Sequence, residues 1–569
     1  MQTTKQRLDA LRLELKTRGL DGFLVPRADV HQGEEVAPCD ERLGWLTGFT
    51  GSAGYALVTQ DKAYMFTDGR YTLQVKDQCP ADLFEHVSLI DTPPSRFVDS
   101  SFGLVGYDPW LMTKGQLATY KKANLVAVNA DSDTGKLNPI DAIWTDQPTD
   151  STGRIWAHPL KYAGQSTREK TALLVDKLKE NSLDTFVFTL PDSIAWLLNI
   201  RGSDLSNTPV VRSFLILHVS GKLDWFVDAE KVPQDAMSAN LNLKLPNTFE
   251  TEVQNLKGCA GLDFATCPVA LFELVKNNQN LPDPVILLKA RKNSAELDGI
   301  REAHKRDAKA VTKFLDETSQ QVEAGEILTE QQAVDSLRLE REKLPGFISN
   351  SFDTISGSGP NGAIVHYRVS PQSDRQLRLG EMYLVDSGGQ FVDGTTDITR
   401  TLCFGAPTDE MRTNYTLVLK GHIALATANF PSGTTGAALD ILARKPLWDH
   451  GLDYDHGTGH GVGACLNVHE GPARIAKPTT GSLVPLEVGM ILSNEPGYYK
   501  AGAYGIRLEN LVVVAESSKP SPDGRTFMFF ETLSFVRFEE KLIDRGMLTP
   551  KELNWLEAYH HKCDEVLAA

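Results

Sequence analysis

The chain of 569 residues is too long for one hydrophobic core, so its length predicts roughly two to four domains. Its apolar content of 41% and charged content of 23% are those of an ordinary soluble globular protein. The formal net charge of −16 argues against nucleic acid or an anionic membrane surface as a partner bound by bulk electrostatics.

Cysteine usage and the N-terminus indicate an intracellular protein. The seven cysteines are scattered and form no Cys-x-x-Cys pair, which is typical of reduced thiols rather than of a disulfide framework or a zinc finger. Residues 1–20 carry charges throughout and contain no apolar core, so they are not a secretory signal. No apolar run long enough to span a membrane occurs. We therefore expect a cytoplasmic location.

The first part of the chain is predicted to be an α/β domain. Apolar residues spaced among charges at 5–19 predict a helix, and 21–26 predict a buried strand. Further strands are predicted at 55–58 and 63–67. The glycine-rich stretch at 49–54 lacks the spacing of a phosphate-binding loop, so it is interpreted as a turn.

A polar, turn-rich stretch at 145–155 predicts a linker, and the chain after it repeats the opening order of features. A charged amphipathic segment (168–181) precedes a strand with a Pro-Asp turn (184–192), and a Trp-Leu sequence and a glycine follow (196–202). We interpret this as an internal duplication of an α/β domain, with chance similarity as the alternative. Neither half shows a group of residues typical of a catalytic site. Arg70 is a possible exception, but the sequence alone cannot assign it to a site.

A basic and polar stretch near 283–296 marks a second boundary. The predicted domains are therefore 1–150, 151–290 and 291–569. Ser294 is the candidate N-cap of a long helix that continues through Phe314. Most of the candidate chemistry falls in this third region.

Residues 381–400 are predicted to form a β-hairpin around a turn at Asp393 and Gly394. Asp386 ends one arm, and Asp397 lies in the middle of the other. A buried carboxylate without a partner is very costly, so two of them on one hairpin call for a cation between them. A metal ion is the obvious candidate.

The register of this hairpin does not bring the two acids together by itself. A simple register about the predicted turn pairs Asp397 with Gln390 rather than with Asp386. Gly388 and Gly389 would have to supply a bend or bulge. The alternative is that one aspartate is a solvated turn residue and the other a surface strand residue.

Histidines supply a second group of candidates. His366 is predicted to end a short apolar strand, where a core histidine with a satisfied ring is the alternative. Glycines at alternate positions in 455–463 rule out a helix, so His456 and His460 are not a helical zinc-protease motif. With His469 they make three histidines within fourteen residues, of thirteen in the chain. Surface chance rarely gives such a cluster.

Glu495 and Glu509 lie equidistant from Gly502 between two predicted strands. In a symmetric hairpin they would face each other, and like charges placed so are destabilising without a cation. Four carboxylates and at least one imidazole suit a pair of divalent ions. Oxygen-dominated ligands favour Mn²⁺ or Mg²⁺ over a thiolate zinc site, and the other histidines remain for proton transfer.

These motifs resemble those of the pita-bread metallopeptidases, the family of methionine aminopeptidase, prolidase and aminopeptidase P. The resemblance is carried by the order Asp, Asp, His, Glu, Glu within VDSGGQFVDGTTDITR, HGTGHGVG, SNEPGYY and IRLEN. Two α/β domains before the catalytic region make the chain similar to the long, three-domain cytosolic type of Xaa-Pro aminopeptidase. The resemblance implies two creatinase-like N-terminal α/β domains followed by a C-terminal pita-bread catalytic domain.

The resemblance also implies an activity and a ligand set. The activity is hydrolytic release of the N-terminal residue from peptides with proline second, by a metal-bridging hydroxide. Asp386 would hold one ion and His460 the other, while Asp397 and Glu509 would bridge them. Glu495 would hold the second ion and shuttle the proton. Mn²⁺ is the expected ion, with Zn²⁺ or Co²⁺ as alternatives.

The remaining roles follow from the same resemblance. His366 and His469 would stabilise the tetrahedral intermediate and the leaving nitrogen, and His456 would shape the pocket for proline. Arg507 would support the acids. The family also has GFTGSAG and TDGRY in its first domain, which adds Arg70 to the candidate substrate-binding residues.

Partners and alternatives complete the expectations. The expected partners are peptide substrates with proline in the second position and a second copy of the chain, bound through the C-terminal domain. A predicted amphipathic helix at 550–567 would pack on the core or on a partner. A prolidase-like dipeptidase is the alternative on the same site. A non-enzymatic peptide-binding or chaperone protein on the same scaffold is the alternative from another class.

Overall fold

The computed structural model describes residues 2–129, 135–150, 153–518 and 521–569. The chain packs into two compact units. Unit 1 contains Met1–His158, Gln165–Leu205 and Val210–Val285, and unit 2 contains Pro159–Gly164, Ser206–Pro209 and Ile286–Ala569. The predicted linker at 145–155 includes residues 151 and 152, which lie outside the described residues. The predicted domain boundaries at 150 and 290 stay predictions.

The elements of the described residues are numbered in chain order. The helices are α1 (Thr4–Thr17), α2 (Arg42–Thr47), α3 (Gln74–Gln78), α4 (Pro94–Phe97), α5 (Lys114–Leu117), α6 (Pro139–Ile143), α7 (Leu160–Ala163), α8 (Thr167–Glu180), α9 (Pro191–Leu198), α10 (Phe249–Gln254), α11 (Val269–Leu274), α12 (Pro284–Ala290), α13 (Ser294–Glu323), α14 (Glu330–Glu342), α15 (Asp409–Ala426), α16 (Gly436–Trp448) and α17 (Pro550–Ala568). None of these helices combines the length and the apolar character needed to cross a bilayer.

The strands divide between the two units. Those of unit 1 are β1 (Gly22–Pro26), β2 (Tyr55–Thr59), β3 (Ala63–Thr67), β4 (Glu85–Ser88), β5 (Leu104–Tyr107), β6 (Asn124–Ala127), β7 (Ile155–Ala157), β8 (Thr185–Phe188), β9 (Ile200–Gly202), β10 (Phe214–His218), β11 (Leu223–Phe226), β12 (Leu241–Lys244), β13 (Ala260–Leu262) and β14 (Asn278–Asn280). Those of unit 2 are β15 (Phe347–Asn350), β16 (Ile355–Ser358), β17 (Met382–Ser387), β18 (Gly389–Phe391), β19 (Gly394–Thr395), β20 (Ile398–Cys403), β21 (Asn429–Pro431), β22 (Gly459–Gly461), β23 (Glu470–Ile475), β24 (Ile491–Asn494), β25 (Gly497–Lys500), β26 (Tyr504–Arg507), β27 (Asn510–Glu516) and β28 (Phe527–Thr532).

Unit 1 contains two sheets of the same design. Within the described residues each has six strands, in the orders β4-β3-β2-β1-β5-β6 and β12-β11-β10-β8-β13-β14. Strand β1 pairs antiparallel with β2 and parallel with β5, and β8 pairs antiparallel with β10 and parallel with β13. The shared order and strand sense support the interpretation of an internal duplication.

The first predicted elements are confirmed. Helix α1 begins after Thr3, whose side chain accepts the Gln6 amide in a capping box, and it buries Leu8, Leu11 and Leu15. Strands β1, β2 and β3 match the predicted apolar runs, and all five residues of β1 and of β3 are buried. Burial on both faces explains why these strands are continuously apolar.

The long helix of unit 2 is capped one residue earlier than predicted. Asn293, not Ser294, is its N-cap, because the Asn293 side chain accepts the backbone amides of Ala295 and Glu296 at 2.9 and 3.1 Å. The helix also continues to Glu323. The predicted C-terminal helix is confirmed as α17.

The turn of the first acidic hairpin also differs from the prediction. Gln390 pairs with Thr395 and Phe391 with Gly394, so Val392 and Asp393 form the turn. Gly394 serves packing rather than the turn, because a Cβ there would lie 2.9 Å from the Ile300 Cα of α13.

The glycine pair does not shift the register, because Ser387 faces Ile398 before it and Gln390 faces Thr395 after it, so the hairpin has no bulge there. Pairing between β17 and β20 ends where Ser387 faces Ile398, and β18 then pairs with β19 in a separate sheet. Between them, a Cβ on Gly388 would lie 1.9 Å from the carbonyl oxygen of Thr396, so only glycine fits. The hairpin therefore passes from one sheet to another beside Asp397.

The register of the second hairpin is confirmed. Gly497 faces Arg507 between β25 and β26, and Asn494 faces Asn510 between β24 and β27, so both halves follow one register centred on Gly502. That register places Glu495 opposite Glu509. Glu495 and Glu509 lie where this hairpin passes between two sheets, as Asp397 does in the first hairpin.

The predicted strand before His366 is wrong. His366 lies in a turn, where the Tyr367 amide donates to the Ile364 carbonyl at 3.1 Å. The turn is compact because Asn361 and Tyr367 donate side-chain hydrogen bonds to the same Glu330 oxygen, at 2.9 and 2.8 Å. This shared acceptor holds the two ends of the segment together.

Candidate metal centre

The acids of the two hairpins converge with the glycine-rich histidine strand in unit 2. Asp397, His460 and Glu509 each offer one ligand atom, and these three atoms lie within 4.8 Å of one another. His460 Nε2 is 3.5 Å from Asp397 Oδ2 and 3.6 Å from Glu495 Oε1. Glycines on both sides let β22 lie between β23 and β24 and present His460 to the acids.

Two carboxylate oxygens at this point need a cation. Asp386 Oδ1 and Asp397 Oδ1 are buried and accept no hydrogen bond from the described residues. A buried carboxylate oxygen without a partner is very costly, whereas a divalent ion would satisfy both. Carboxylates with a single imidazole form the donor set that Mn²⁺ and similar ions accept. The residues present therefore fit a metal centre.

The electrostatics lead to the same conclusion. Burial raises the pKa of the Asp397 carboxyl well above its usual range, and the charges of Asp386 and Glu495 raise it further. Burial raises the pKa of Glu509 in the same way, followed by the charges of Asp397 and Asp386. A cation between these groups would reverse both effects because it favours their ionised forms.

The tautomer of His460 leaves its Nε2 free to bind a metal ion. Its Nδ1 lies 3.0 Å from the Gly461 carbonyl, which can only accept, so Nδ1 carries the proton and Nε2 the lone pair. Burial, followed by the neighbouring His469, lowers the pKa of His460 to about 4. Ser493 Oγ accepts the His460 amide at 3.0 Å and donates to Glu495 at 3.1 Å, which fixes these two residues relative to each other.

A hydrogen-bonded chain links the acids to His456. Arg507 is buried, and its Nη2 donates to Asp386 Oδ2 at 2.6 Å. Its Nη1 donates to the Tyr499 hydroxyl at 2.7 Å, and that hydroxyl lies 2.8 Å from His456 Nε2. The His456 Nδ1 lies 2.7 Å from the Gly457 carbonyl, so Nδ1 carries the proton and Nε2 accepts from Tyr499.

Three further residues were predicted for the site, namely His469, His366 and Arg70. The His469 ring lies 4.3 Å from the His460 ring. His366 follows Val365, whose carbonyl accepts from Arg507 at 3.2 Å. Arg70 lies in unit 1, where its guanidinium donates to both carboxylate oxygens of Asp68 at 3.0 and 2.8 Å.

Three residues that the sequence did not single out belong to this site. Thr399 Oγ1 donates to Glu509 Oε2 at 2.8 Å, and Ser493 and Tyr499 make the contacts described above. Thr399 could have been found, since it faces Asp386 in the register and lies two residues beyond Asp397 on one face of the hairpin. Ser493 and Tyr499 precede and follow Glu495 at the same hairpin junction.

Comparison with protein-family models covers most of the chain. The model of metallopeptidase family M24 matches residues 298–516, and that of the C-terminal region of these peptidases matches 526–569. Two models of the creatinase/prolidase N-terminal domain match residues 7–140 and 146–296. The predicted fold class of two creatinase-like domains followed by a catalytic domain is confirmed.

Individual relatives match over almost the whole length. "Probable Xaa-Pro aminopeptidase P" of Laccaria bicolor is 39% identical, over 98% of this chain and 89% of its own. "Aminopeptidase P2" of Arabidopsis thaliana is 38% identical, over 95% of this chain and 82% of its own. The crystal structure of X-prolyl aminopeptidase from Caenorhabditis elegans, described as a cytosolic enzyme with a di-nuclear active site, matches with a TM-score of 0.92 at 31% identity, covering 100% of this chain and 96% of that chain.

Proposed function

Because the chain belongs to metallopeptidase family M24, we propose that it is an aminopeptidase that releases the N-terminal residue from peptides with proline in the second position. The observation that carries the proposal is the cluster of Asp397, His460 and Glu509 ligand atoms within 4.8 Å. The substrate class is supported by relatives named for Xaa-Pro aminopeptidase activity, which match from one end of the chain to the other.

Five side chains would hold two divalent ions. Asp386 would bind one ion and His460 and Glu495 the other, while Asp397 and Glu509 would bridge them. The ions would polarise the scissile carbonyl and lower the pKa of water. The buried carboxylate oxygens without partners and the Nε2 lone pair of His460 support this assignment.

Glu495 is proposed to carry the proton from water to the leaving nitrogen. Its two oxygens lie 3.6 Å from His460 Nε2 and 3.9 Å from His456 Nδ1, and its side chain is 17% exposed. A carboxylate that keeps access to solvent can release and regain a proton during each turnover. Glu495 is the more exposed acid of its hairpin, because Glu509 is buried.

The histidines would position the substrate around that carboxylate. His366 and His469 would stabilise the developing charge and the leaving nitrogen. His456 would shape the pocket for the proline ring, and its link through Tyr499 to Arg507 supports a fixed orientation. Arg507 would hold Asp386 in place by its 2.6 Å contact. Arg70 remains a proposed substrate-binding residue.

Three finer assignments belong to the same proposal. Mn²⁺ is the ion best suited to an oxygen-dominated donor set with one imidazole. A cytoplasmic location is supported by the scattered cysteines and by the cytosolic description of the Caenorhabditis elegans relative. A homodimer through the C-terminal domain follows from the family resemblance, and sedimentation of the purified protein would test it.

The decisive test measures release of the first residue from a tripeptide with and without metal. Protein stripped with a chelator and reconstituted with Mn²⁺ should release arginine from Arg-Pro-Pro, and the same protein kept in chelator should not. A peptide with alanine second serves as the control for proline selectivity. Absence of release across a range of pH values and divalent ions would overturn the proposal.

The same experiment separates the alternatives. Faster cleavage of the dipeptide Arg-Pro than of longer peptides would favour a prolidase-like dipeptidase. A binding protein on the same scaffold would carry no divalent ion when purified, and Asp397→Ala would leave its behaviour unchanged. We expect neither result, because the ligand set is complete at every position that the family resemblance requires.

A further inference from the structure

We propose that Tyr559, on the C-terminal helix α17, is a positioning residue of the metal centre that acts through Arg400 on Glu509. The inference rests on the proposed function in one respect, which is that Glu509 is a metal ligand. Tyr559 lies far beyond residues 298–516, which match the M24 model, and within the 526–569 match. The C-terminal segment would thus help to hold a metal ligand in position.

Arg400 connects the two acidic hairpins. It lies on β20, three residues after Asp397, and is buried at 1% exposure. Its Nη1 donates to the backbone carbonyl of Glu509 at 2.6 Å, and its Nη2 donates to Asn510 Oδ1 at 2.8 Å. One rigid guanidinium therefore sets the distance between the strand that carries Asp397 and the backbone that carries Glu509.

Tyr559 contacts the same guanidinium from helix α17. Its hydroxyl accepts from Arg400 Nη2 at 2.9 Å and lies 3.2 Å from Asn510 Oδ1. The carbonyl of Val536 lies 2.8 Å from the same hydroxyl and accepts from Arg400 at 2.5 Å. Tyr559 is 6% exposed, so water cannot readily replace the hydroxyl. These acceptors are neutral oxygens, whose directions fix the plane of the guanidinium.

The Glu509 carboxylate is also fixed from the first hairpin. Thr399 Oγ1 donates to Glu509 Oε2 at 2.8 Å, and the Thr399 carbonyl accepts from Arg400 at 2.8 Å. Side chain and backbone of Glu509 are thus both tied to β20. Loss of groups that hold a metal ligand in place typically weakens metal binding or activity about 10–100-fold. We expect loss of the Tyr559 hydroxyl to fall in that range.

Tyr559→Phe tests the proposal, with Tyr415→Phe as the matched control. Tyr415 is also buried, and its hydroxyl accepts the Glu539 amide of the same C-terminal segment at 2.9 Å. The Tyr415 hydroxyl therefore bonds to the C-terminal segment at Glu539, whereas the Tyr559 hydroxyl bonds to Arg400. Both variants lose one buried hydroxyl, so a difference between them reports on the position of Glu509 rather than on stability alone.

Metal binding is measured directly, by competition of Mn²⁺ with a chelator and by the visible spectrum of the Co²⁺-substituted protein. We expect about 10-fold or greater loss of Mn²⁺ affinity and a changed Co²⁺ spectrum in Tyr559→Phe, and wild-type values in Tyr415→Phe. Arg400→Lys should show a larger loss, because lysine keeps the charge but cannot donate to Glu509, Asn510 and Tyr559 together.

Wild-type metal affinity and spectrum in folded Tyr559→Phe protein would overturn the inference. An equal loss in both tyrosine variants would also overturn it, because stability alone would then account for the change. Failure of the proposed function is a separate result. In that case the wild-type protein binds metal without cleaving Arg-Pro-Pro, and the comparison of metal affinities still stands.

Discussion

Replacing Asp397 with asparagine should have opposite effects on stability with and without metal. The Asp397 and Glu509 ligand atoms lie within 4.8 Å, and at an effective dielectric constant of about 20 two unit charges at that distance repel by about 3.5 kcal/mol. The metal-free wild-type protein relieves part of this repulsion by binding a proton, since the pKa of both carboxyls is raised. We therefore expect metal-free Asp397→Asn to be more stable than metal-free wild type by about 1–3 kcal/mol.

Addition of metal should reverse that order. An ion at about 100 times its dissociation constant stabilises the wild-type protein by about 2.7 kcal/mol, and the variant, which lacks one of the two proposed bridging carboxylates, should gain little. Thermal unfolding in EDTA and in Mn²⁺ measures both effects. For domains of 150–250 residues, a change of 1 kcal/mol moves the midpoint by about 2–4 °C.

Asp393→Asn is the control on the same hairpin. Asp393 pairs with Arg306 at 2.5 Å and has a cation as its partner already. This substitution should lower the midpoint equally in EDTA and in Mn²⁺. If Asp397→Asn also destabilised the protein in EDTA, repulsion between Asp397 and Glu509 would not control the stability of the metal-free site, and the reasoning for a metal at this point would be refuted.

Three further substitutions test the surroundings of the site. Arg507→Lys should lower kcat/KM about 10–100-fold, since lysine cannot bond Asp386 and Tyr499 together, and retention of wild-type kcat/KM would contradict this. Tyr499→Phe should lower kcat/KM up to about 10-fold without loss of bound metal, because it only disconnects His456 from Arg507. His422 is buried, and burial lowers its pKa to about 3, so the folded protein keeps it neutral while the unfolded protein binds a proton below about pH 6.5. Stability should therefore fall with pH from about 6.5 towards 3, and His422→Asn should lose about 1.4 kcal/mol less per pH unit there, as urea midpoints would show.

The two hairpins differ in how well their pairing could be predicted from the sequence. Glu495 and Glu509 could be paired from spacing alone, because one register runs through both halves around Gly502. In the first hairpin Gly394 resembled a turn residue, but helix α13 requires the glycine for close packing. That requirement is tertiary, and the turn lies one residue earlier in the chain than predicted.

Contacts between distant parts of the chain account for what the sequence did not reveal. Arg400 lies within the motif that indicated the family, yet its partners Glu509 and Tyr559 lie 109 and 159 residues further along. His366 was placed on a strand because its neighbours are apolar, whereas Glu330 gathers the segment into a turn. Residue type and spacing indicate candidate metal ligands, because ligand chemistry restricts the choice, but they do not indicate the groups that hold those side chains in place.

The most direct test of the metal centre is an anomalous difference map from crystals of Mn²⁺-loaded protein with a proline-containing product. We expect two peaks about 3.5–4 Å apart, with the carboxylates of Asp397 and Glu509 between them and His460 Nε2 beside one. The proline ring should lie near His456. A single peak, or ions bound away from Asp397 and Glu509, would contradict the assignment of a two-metal centre to these residues.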